Sequence, residues 1–111
     1  MSNADVARGL FEAYLSQNRA RAESLIAEDP VFTSAQDDHI DRGAYFSRCF
    51  PTADRLSLQT LIHLAELDEH DVVIVYEYQL TSGDRQRNAE ILTIHDRQVR
   101  EVQVFFGGAV R

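Results

Sequence analysis

The chain has 111 residues, of which 44% are hydrophobic and 26% charged, values typical of one globular domain. It contains arginine but no lysine, and 18 acidic residues against 11 basic ones give a net charge of −7. An acidic surface repels phosphate backbones and anionic lipid, so we expect neither nucleic acid nor a membrane as a partner. The single cysteine, Cys49, excludes an intrachain disulfide.

The N-terminal residues are polar and acidic, unlike a secretory signal, and no apolar run approaches the ~18 residues of a membrane span. The histidine, cysteine and acidic residues do not follow a metal-ligand spacing. We therefore expect a cytoplasmic protein with a single domain over residues 1–111 and with neither a metal nor another cofactor.

Two helices are predicted at the start of the chain. Ser2 and Asp5 have the spacing of a capping box. The apolar residues that follow recur at helical intervals: Val6, Leu10, Phe11, Tyr14 and Leu15. Asn18 can cap a second, short helix that Pro30 ends. The inner face of this second helix is predicted to hold Ala22, Leu25 and Ile26.

A third helix is predicted after a short extended piece over 31–34 and a polar loop over 35–40. Asp41 can cap this helix, and Pro51 is predicted to end it. Its broad apolar face consists of Ala44, Tyr45, Phe46, Cys49 and Phe50.

The second half of the chain predicts four strands, because branched and aromatic residues are frequent and alternate with polar ones. The strands are predicted over 56–67, 72–80, 88–94 and 99–106. Turns are predicted over 69–71, 82–84 and 96–97, and two glycines at 107–108 end the last strand. Helices followed by three hairpins predict an α+β domain with a meandering antiparallel sheet.

Four stretches in this order carry a family resemblance: FEAYL (11–15), LIAEDPVF (25–32), IDRGAYFSRCF (40–50) and NAEILTIHDRQVREVQVFFG (88–107). They resemble the nuclear-transport-factor-2-like superfamily, and within it the SnoaL-like and ketosteroid-isomerase-like proteins. The resemblance implies a cone-shaped, cystatin-like α+β barrel, in which a curved antiparallel sheet wraps around the N-terminal helices. It also implies a pocket open at one end and, in many members, dimers formed through the outer sheet face.

One departure from the superfamily lies in the last hairpin, where Arg97 rather than glycine follows Asp96. A left-handed conformation would cost a non-glycine residue roughly 1 kcal/mol. A turn of another type is therefore an open alternative.

Glu90 is the first candidate for chemistry. It shares the inner face of its strand with Asn88, Leu92 and Ile94, so burial should raise its pKa and let it serve as an acid or a base. By resemblance, it falls near the protonated pocket acid of the ketosteroid isomerases. Two other roles remain open, a glutamate hydrogen-bonded to Tyr76 or Asn88 and one that faces solvent at the mouth.

The register of the neighbouring strand decides which tyrosines meet this acid. A three-residue turn over 82–84 would pair Tyr78 with Asn88 and Tyr76 with Glu90. A two-residue turn would bring Glu77 into that row instead.

The other isomerase positions differ from the family pattern. By resemblance, Ser34 falls where the isomerases have a proton-shuttling aspartate, and Phe11 lies near the position of the oxyanion-binding tyrosine, one turn from Tyr14. Asp37 and Asp38 are close in sequence to the missing base, although loop carboxylates are usually solvated.

His63 could act as a base if it points inward from its strand. A structural histidine, or one on the outer face, is the alternative. Cys49 does not lie at a helix N-terminus that would lower its pKa, so we do not expect it to act as a nucleophile.

The predicted ligand pocket is lined by Tyr14, Phe32, Ser34, Tyr45, Phe46, Cys49, Tyr76, Tyr78, Asn88, Leu92, Val102, Val104 and Phe106. Three classes of function remain open. The first is acid–base isomerisation, cyclisation or hydration of a small hydrophobic molecule through Glu90, with His63 and Asp37 as further candidates. The second is non-catalytic binding of such a molecule, and the third is a structural module. We expect a homodimer whose outer sheet face presents Ile62, Leu64, Ile91 and Phe105.

Overall fold

The computed structural model describes residues 1–110. Its helical elements are α1 (Asn3–Ser16), α2 (Arg19–Leu25) and α3 (Arg42–Ala44), the last continued by a π turn (Tyr45–Cys49) and a 3₁₀ helix (Phe50–Arg55). The strands are β1 (Ile26–Thr33), β2 (Leu56–Glu66), β3 (Asp71–Leu80), β4 (Arg85–His95) and β5 (Gln98–Ala109). No helix within residues 1–110 is long and apolar enough to cross a membrane.

The five strands form one curved, open sheet in the order β1-β5-β4-β3-β2. β1 runs parallel to β5, and the other neighbours are antiparallel. The inner face of the sheet packs on α1, which buries Val6, Ala7, Leu10 and Ala13. The α+β class with a curved sheet around N-terminal helices is therefore confirmed.

The start of α1 follows its sequence signal. The Ser2 hydroxyl accepts the Asp5 N–H at 3.1 Å, and the Asp5 carboxylate accepts the Ser2 N–H at 3.0 Å. These bonds satisfy donors that the first turn of a helix leaves without intrahelical partners. The predicted capping box is confirmed.

The predicted end of the second helix is wrong. α2 ends at Leu25, and Ile26 opens β1 rather than completing a helical face. Pro30 lies inside β1, where the pairing with β5 shifts register between Ile26 and Val31. Proline is tolerated at such an irregularity because no ladder hydrogen bond needs its missing N–H.

Pro51 does not end the third helical segment. The segment continues as a 3₁₀ helix to Arg55, and Pro51 occupies its first turn. A proline is accommodated there because the first turn needs no intrahelical N–H donor.

The final strand does not end at its glycines. β5 continues to Ala109, and Gly107 approaches the neighbouring strand so closely that a Cβ would lie 2.2 Å from the Arg87 carbonyl oxygen. Gly107 therefore allows the two backbones to meet. β4 likewise begins at Arg85, earlier than predicted.

The β3–β4 loop has three residues, as predicted, but it begins one residue earlier. The Leu80 N–H donates to the Asp84 carbonyl at 2.8 Å, so the loop covers 81–83. Tyr76 is therefore opposite Asn88, and Glu90 is opposite Ile74. The predicted pairs of Tyr78 with Asn88 and Tyr76 with Glu90 are wrong by two positions. An even shift keeps every side chain on its face.

The β4–β5 turn is left-handed at both central residues, with φ of 49° at Asp96 and 64° at Arg97. Two positive φ values are typical of a type I′ turn, whose twist matches that of the flanking strands. The alternative turn type is therefore not adopted, and Arg97 takes the conformation usually left to glycine.

The outer sheet face carries Ile62 and Phe105, which are 38% and 51% exposed. Leu64 was expected beside them, but it packs against the core from the inner face. The reason is a bulge in β2 between Leu61 and His63, which reverses the alternation of side chains.

Candidate functional site

A cavity of about 450 Å³ lies between the inner face of the sheet, α1 and the helical segment over 45–55. Its wall is partly aliphatic and aromatic, with polar groups at separate places. This combination is typical of a pocket for a small organic molecule. The apolar wall includes Leu10, Phe11, Phe32, Tyr45, Ile74, Leu92, Val102, Val104 and Phe106.

Of the predicted pocket residues, Phe46 alone is outside the cavity lining. Tyr45 and Cys49 lie one helical turn apart and face the cavity, whereas Phe46 packs against Phe50 with ring centroids 5.4 Å apart. The guanidinium groups of Arg19 and Arg42 lie 4.9 and 5.3 Å from the Phe46 ring centroid. Phe46 is therefore a core residue on the opposite side of its helical turn.

Glu90 lies within the cavity and accepts a hydrogen bond from the Tyr76 hydroxyl on β3. Burial raises the pKa of Glu90 to about 6, and the hydrogen bond from Tyr76 opposes part of that rise. The carboxyl group therefore titrates close to neutral pH, where it can exchange a proton with a ligand.

Asn88 holds this pair in place. Its side-chain amide donates to the Tyr76 oxygen at 3.5 Å, and its carbonyl oxygen accepts the Gly107 N–H at 3.4 Å. Asn88 is 5% exposed, so β5, β4 and β3 are joined through one buried side chain. Only Oε2 of Glu90 is hydrogen-bonded by residues 1–110, so Oε1 remains available to a ligand in the cavity.

Tyr14 contributes a second polar group from α1. Its hydroxyl lies 2.6 Å from the Thr52 hydroxyl, which donates its only proton to the Cys49 carbonyl at 2.7 Å. Tyr14 must therefore donate to Thr52, and its oxygen retains lone pairs for a ligand donor. Burial raises the pKa of Tyr14.

Ser34 lines the cavity, but its hydroxyl is engaged in the loop, where it accepts the N–H groups of Gln36 and Asp37 at 3.2 Å each. The Asp37 carboxylate also lines the cavity and is half-buried. It lies 3.4 Å from the Arg48 guanidinium and accepts the Cys49 thiol at 3.8 Å. Burial, followed by the charge of Asp37, raises the pKa of Cys49 to about 11, which disfavours the nucleophilic thiolate.

Asp38 and His63 lie outside the cavity. Asp38 is exposed and hydrogen-bonded to His39. The bulge in β2 places His63 on the exposed face of the sheet, opposite Val75. His63 therefore does not point inward, and the alternative of an outer-face histidine is the one that the structure shows. Among residues 1–110, no cluster of three or more His, Cys, Asp or Glu side chains is placed to hold a metal ion.

Several polar lining residues were not predicted, namely Gln36, Arg48, Thr52, Arg55, Gln59 and Gln86. Thr52 and Arg55 follow Pro51, where the helix was expected to end. Gln59 reaches the cavity because β2 shifts register twice, which breaks simple alternation. Gln86 lies two residues before Asn88 and therefore on the same face of β4. Alternation would have predicted Gln86 as a lining residue if the predicted strand had begun before residue 88.

Comparison with known proteins finds similarity in structure and not in sequence. No protein-family model matches the sequence, and no curated protein matches it. An NTF2-like protein from Cytophaga hutchinsonii superimposes with a TM-score of 0.76 at 14% identity, covering 96% of this chain and 90% of that one. The chain has the NTF2-like fold.

Two further structural neighbours bear the names of enzymes. A candidate ketosteroid isomerase from Kribbella flavida has a TM-score of 0.79 at 19% identity and covers 98% of this chain and 80% of that one. A candidate polyketide cyclase from Sinorhizobium meliloti has a TM-score of 0.78 at 14% identity, with coverages of 91% and 94%. The expected resemblance to this superfamily is confirmed at the level of the fold, while function has to be argued from the cavity itself.

Proposed function

We propose that the cavity binds a small, largely hydrophobic molecule that carries a carbonyl or hydroxyl oxygen, and that Glu90 exchanges a proton with it. The observation that carries this proposal is the Glu90–Tyr76 pair inside the cavity of about 450 Å³. Steroid ketones and polyketides, which the names of two structural neighbours mention, are carbonyl compounds of this kind.

The proposed chemistry is proton transfer at a carbon next to a carbonyl group. The Glu90 carboxylate takes the proton from the C–H bond, and the electron pair of that bond moves into the carbonyl to form an enolate. The protonated Glu90 then returns the proton to the same carbon or to a conjugated one. A pKa of about 6 suits both steps, because the group is mostly ionised at neutral pH yet readily holds a proton.

Two readouts test binding and chemistry separately. Binding is measured with 2-naphthol, a neutral aromatic alcohol whose fluorescence reports its surroundings. Chemistry is measured with 2-tetralone in D₂O, where NMR follows exchange of the hydrogens next to the ketone. We expect saturable naphthol binding and protein-dependent exchange. Glu90→Gln should abolish the exchange, because a neutral amide cannot accept the proton.

Glu101→Gln is the matched control, because it removes a carboxylate from the neighbouring strand outside the cavity lining. This variant should retain both binding and exchange. Loss of exchange in Glu101→Gln, or full exchange in Glu90→Gln, would contradict the assignment of Glu90.

Non-catalytic binding is the second candidate, and one observation favours it. By resemblance, Ser34 falls where the isomerases have their base, and its hydroxyl accepts hydrogen bonds from two backbone N–H groups. Naphthol binding without tetralone exchange would support a binder. Absence of naphthol binding would contradict both candidates and leave a structural module.

A further inference from the structure

One of the two arginines that line the cavity has no ion-pair partner among residues 1–110, in a chain whose net charge is −7. Two arginines, Arg48 and Arg55, line the cavity together with the carboxylates of Asp37 and Glu90. Arg48 lies 3.4 Å from Asp37, so these two charges are matched. The Arg55 side chain forms no ion pair or hydrogen bond with residues 1–110, so it is the cation that remains available.

Arg55 and Glu90 line the cavity at well-separated positions along the sheet. Arg55 directly precedes the Leu56–Leu80 pair beside the β3–β4 hairpin, and its backbone carbonyl accepts the Thr81 N–H at 2.8 Å. Glu90 is opposite Ile74, six residues from Leu80 along β3, which corresponds to about 20 Å of strand. The long side chain of Arg55 is exposed at the mouth and shortens the gap that a ligand must bridge.

Between these two positions the wall changes character along the sheet. Near the mouth, Tyr78 and Gln86 form a polar pair with a hydrogen bond of 3.2 Å. Around Glu90 the wall is aliphatic, because Val104 lies opposite Glu90 and the next inward-facing pair is Leu92 with Val102. A molecule that matches this gradient has an apolar body, one oxygen at its inner end and a charged group at its outer end.

We infer that the ligand is an amphipathic organic anion, and that Arg55 determines specificity by binding its carboxylate at the cavity mouth. This inference rests on the proposed function, because it extends the ligand class of the same cavity. A guanidinium group suits a carboxylate because its planar donors can form two parallel hydrogen bonds with it. Elsewhere the acidic surface of the chain repels an anion, so a local cation is needed to admit one.

The experiment compares two probes of nearly the same shape. 6-Hydroxy-2-naphthoic acid carries a hydroxyl group for Glu90 and a carboxylate for Arg55, and its methyl ester lacks only the charge. At neutral pH and low salt, fluorescence titration should give about threefold to fivefold tighter binding of the acid, the range of a partly exposed charge pair. Added salt should reduce this preference, because it screens exposed charges.

Arg55→Gln should bind the acid and the ester equally and should keep the affinity for the ester. Arg97→Gln is the matched control, because it removes an arginine from the β4–β5 turn outside the cavity lining. This control should preserve the preference for the acid.

The outcomes separate the two proposals. If wild-type protein binds the ester but shows no preference for the acid, the inference about Arg55 is overturned and the binding cavity stands. A preference that survives Arg55→Gln also overturns it, and Arg48 would then be the cation to replace. If neither probe binds to wild-type protein, the proposed function itself fails.

Discussion

The Tyr76 hydroxyl donates a hydrogen bond to the Glu90 carboxylate from a diagonal position, since Tyr76 is directly opposite Asn88 and Glu90 is opposite Ile74. The long tyrosine side chain spans this offset of two residues. As a result, Asn88 can contact the same hydroxyl from the other side, at 3.5 Å. The diagonal arrangement thus builds a three-residue polar group within an otherwise apolar part of the sheet.

Tyr76→Phe should raise the pKa of Glu90 above its present value of about 6, because the variant removes the hydrogen bond that stabilises the charged form. A hydrogen bond to a charged group contributes about 1.5 kcal/mol or more, so the rise should be about one pH unit. A ¹³C NMR titration of the Glu90 carboxyl carbon measures it. Tyr78→Phe loses only the hydrogen bond to Gln86, so it should leave the pKa of Glu90 unchanged. An unchanged pKa in Tyr76→Phe would disprove the coupling.

The stability of the protein should depend on Glu90 in a defined pH window. Its pKa is raised from 4.5 to about 6 in the folded state, so folding favours the protonated form. The resulting stabilisation is fully present below about pH 4.5 and is lost as the pH rises through about 6.

Glu90→Gln should therefore gain stability relative to wild type between about pH 4 and pH 8, by about 2 kcal/mol in total. Urea unfolding of both proteins across this range measures the difference in the free energy of unfolding. Glu101→Gln, outside the cavity, should show no comparable trend. A difference between wild type and Glu90→Gln that stays constant with pH would show that Glu90 has an ordinary pKa.

Gly107→Ala should destabilise the fold, because its Cβ would lie 2.2 Å from the Arg87 carbonyl oxygen. The two strands would have to separate, which should cost about 2 kcal/mol as overpacking does. Gly43→Ala is the matched control, since its Cβ would meet only the Asp41 carboxylate at 3.7 Å. Thermal unfolding followed by circular dichroism compares the two variants. Equal melting temperatures would refute the close approach of β4 and β5.

We expect a homodimer through the outer sheet face. One row across four strands joins Phe105, Ala89, Val75 and His63, and Ile62 lies beside it. The ion pairs of Glu77 with Arg85 and Arg87 border this row toward the β3–β4 hairpin. An apolar centre with a polar border is typical of a protein interface.

Phe105→Arg should therefore shift the protein from dimer to monomer in analytical ultracentrifugation at micromolar concentration. Leu67→Arg, an equally exposed change in the β2–β3 connection, should leave the dimer intact. A wild-type protein that sediments as a monomer would refute the expectation.

Local sequence signals determined the class of the fold. The Ser2–Asp5 capping box and the apolar spacing after it predicted α1, and alternation predicted all four hairpin strands to within a few residues. These features depend on contacts between neighbours in the chain, which a sequence displays directly. The alternation of side chains along β4 was also sufficient to place Asn88 and Glu90 on the inner face of the sheet.

Tertiary structure decided which polar groups meet in the cavity. The start of the β3–β4 loop set the register that brings Tyr76 diagonal to Glu90, and the bulge in β2 turned His63 outward. Neither outcome follows from composition or periodicity, because register depends on how two distant segments pair. The availability of Arg55 has the same origin: a charge is known to lack a partner only once all of its neighbours are in place.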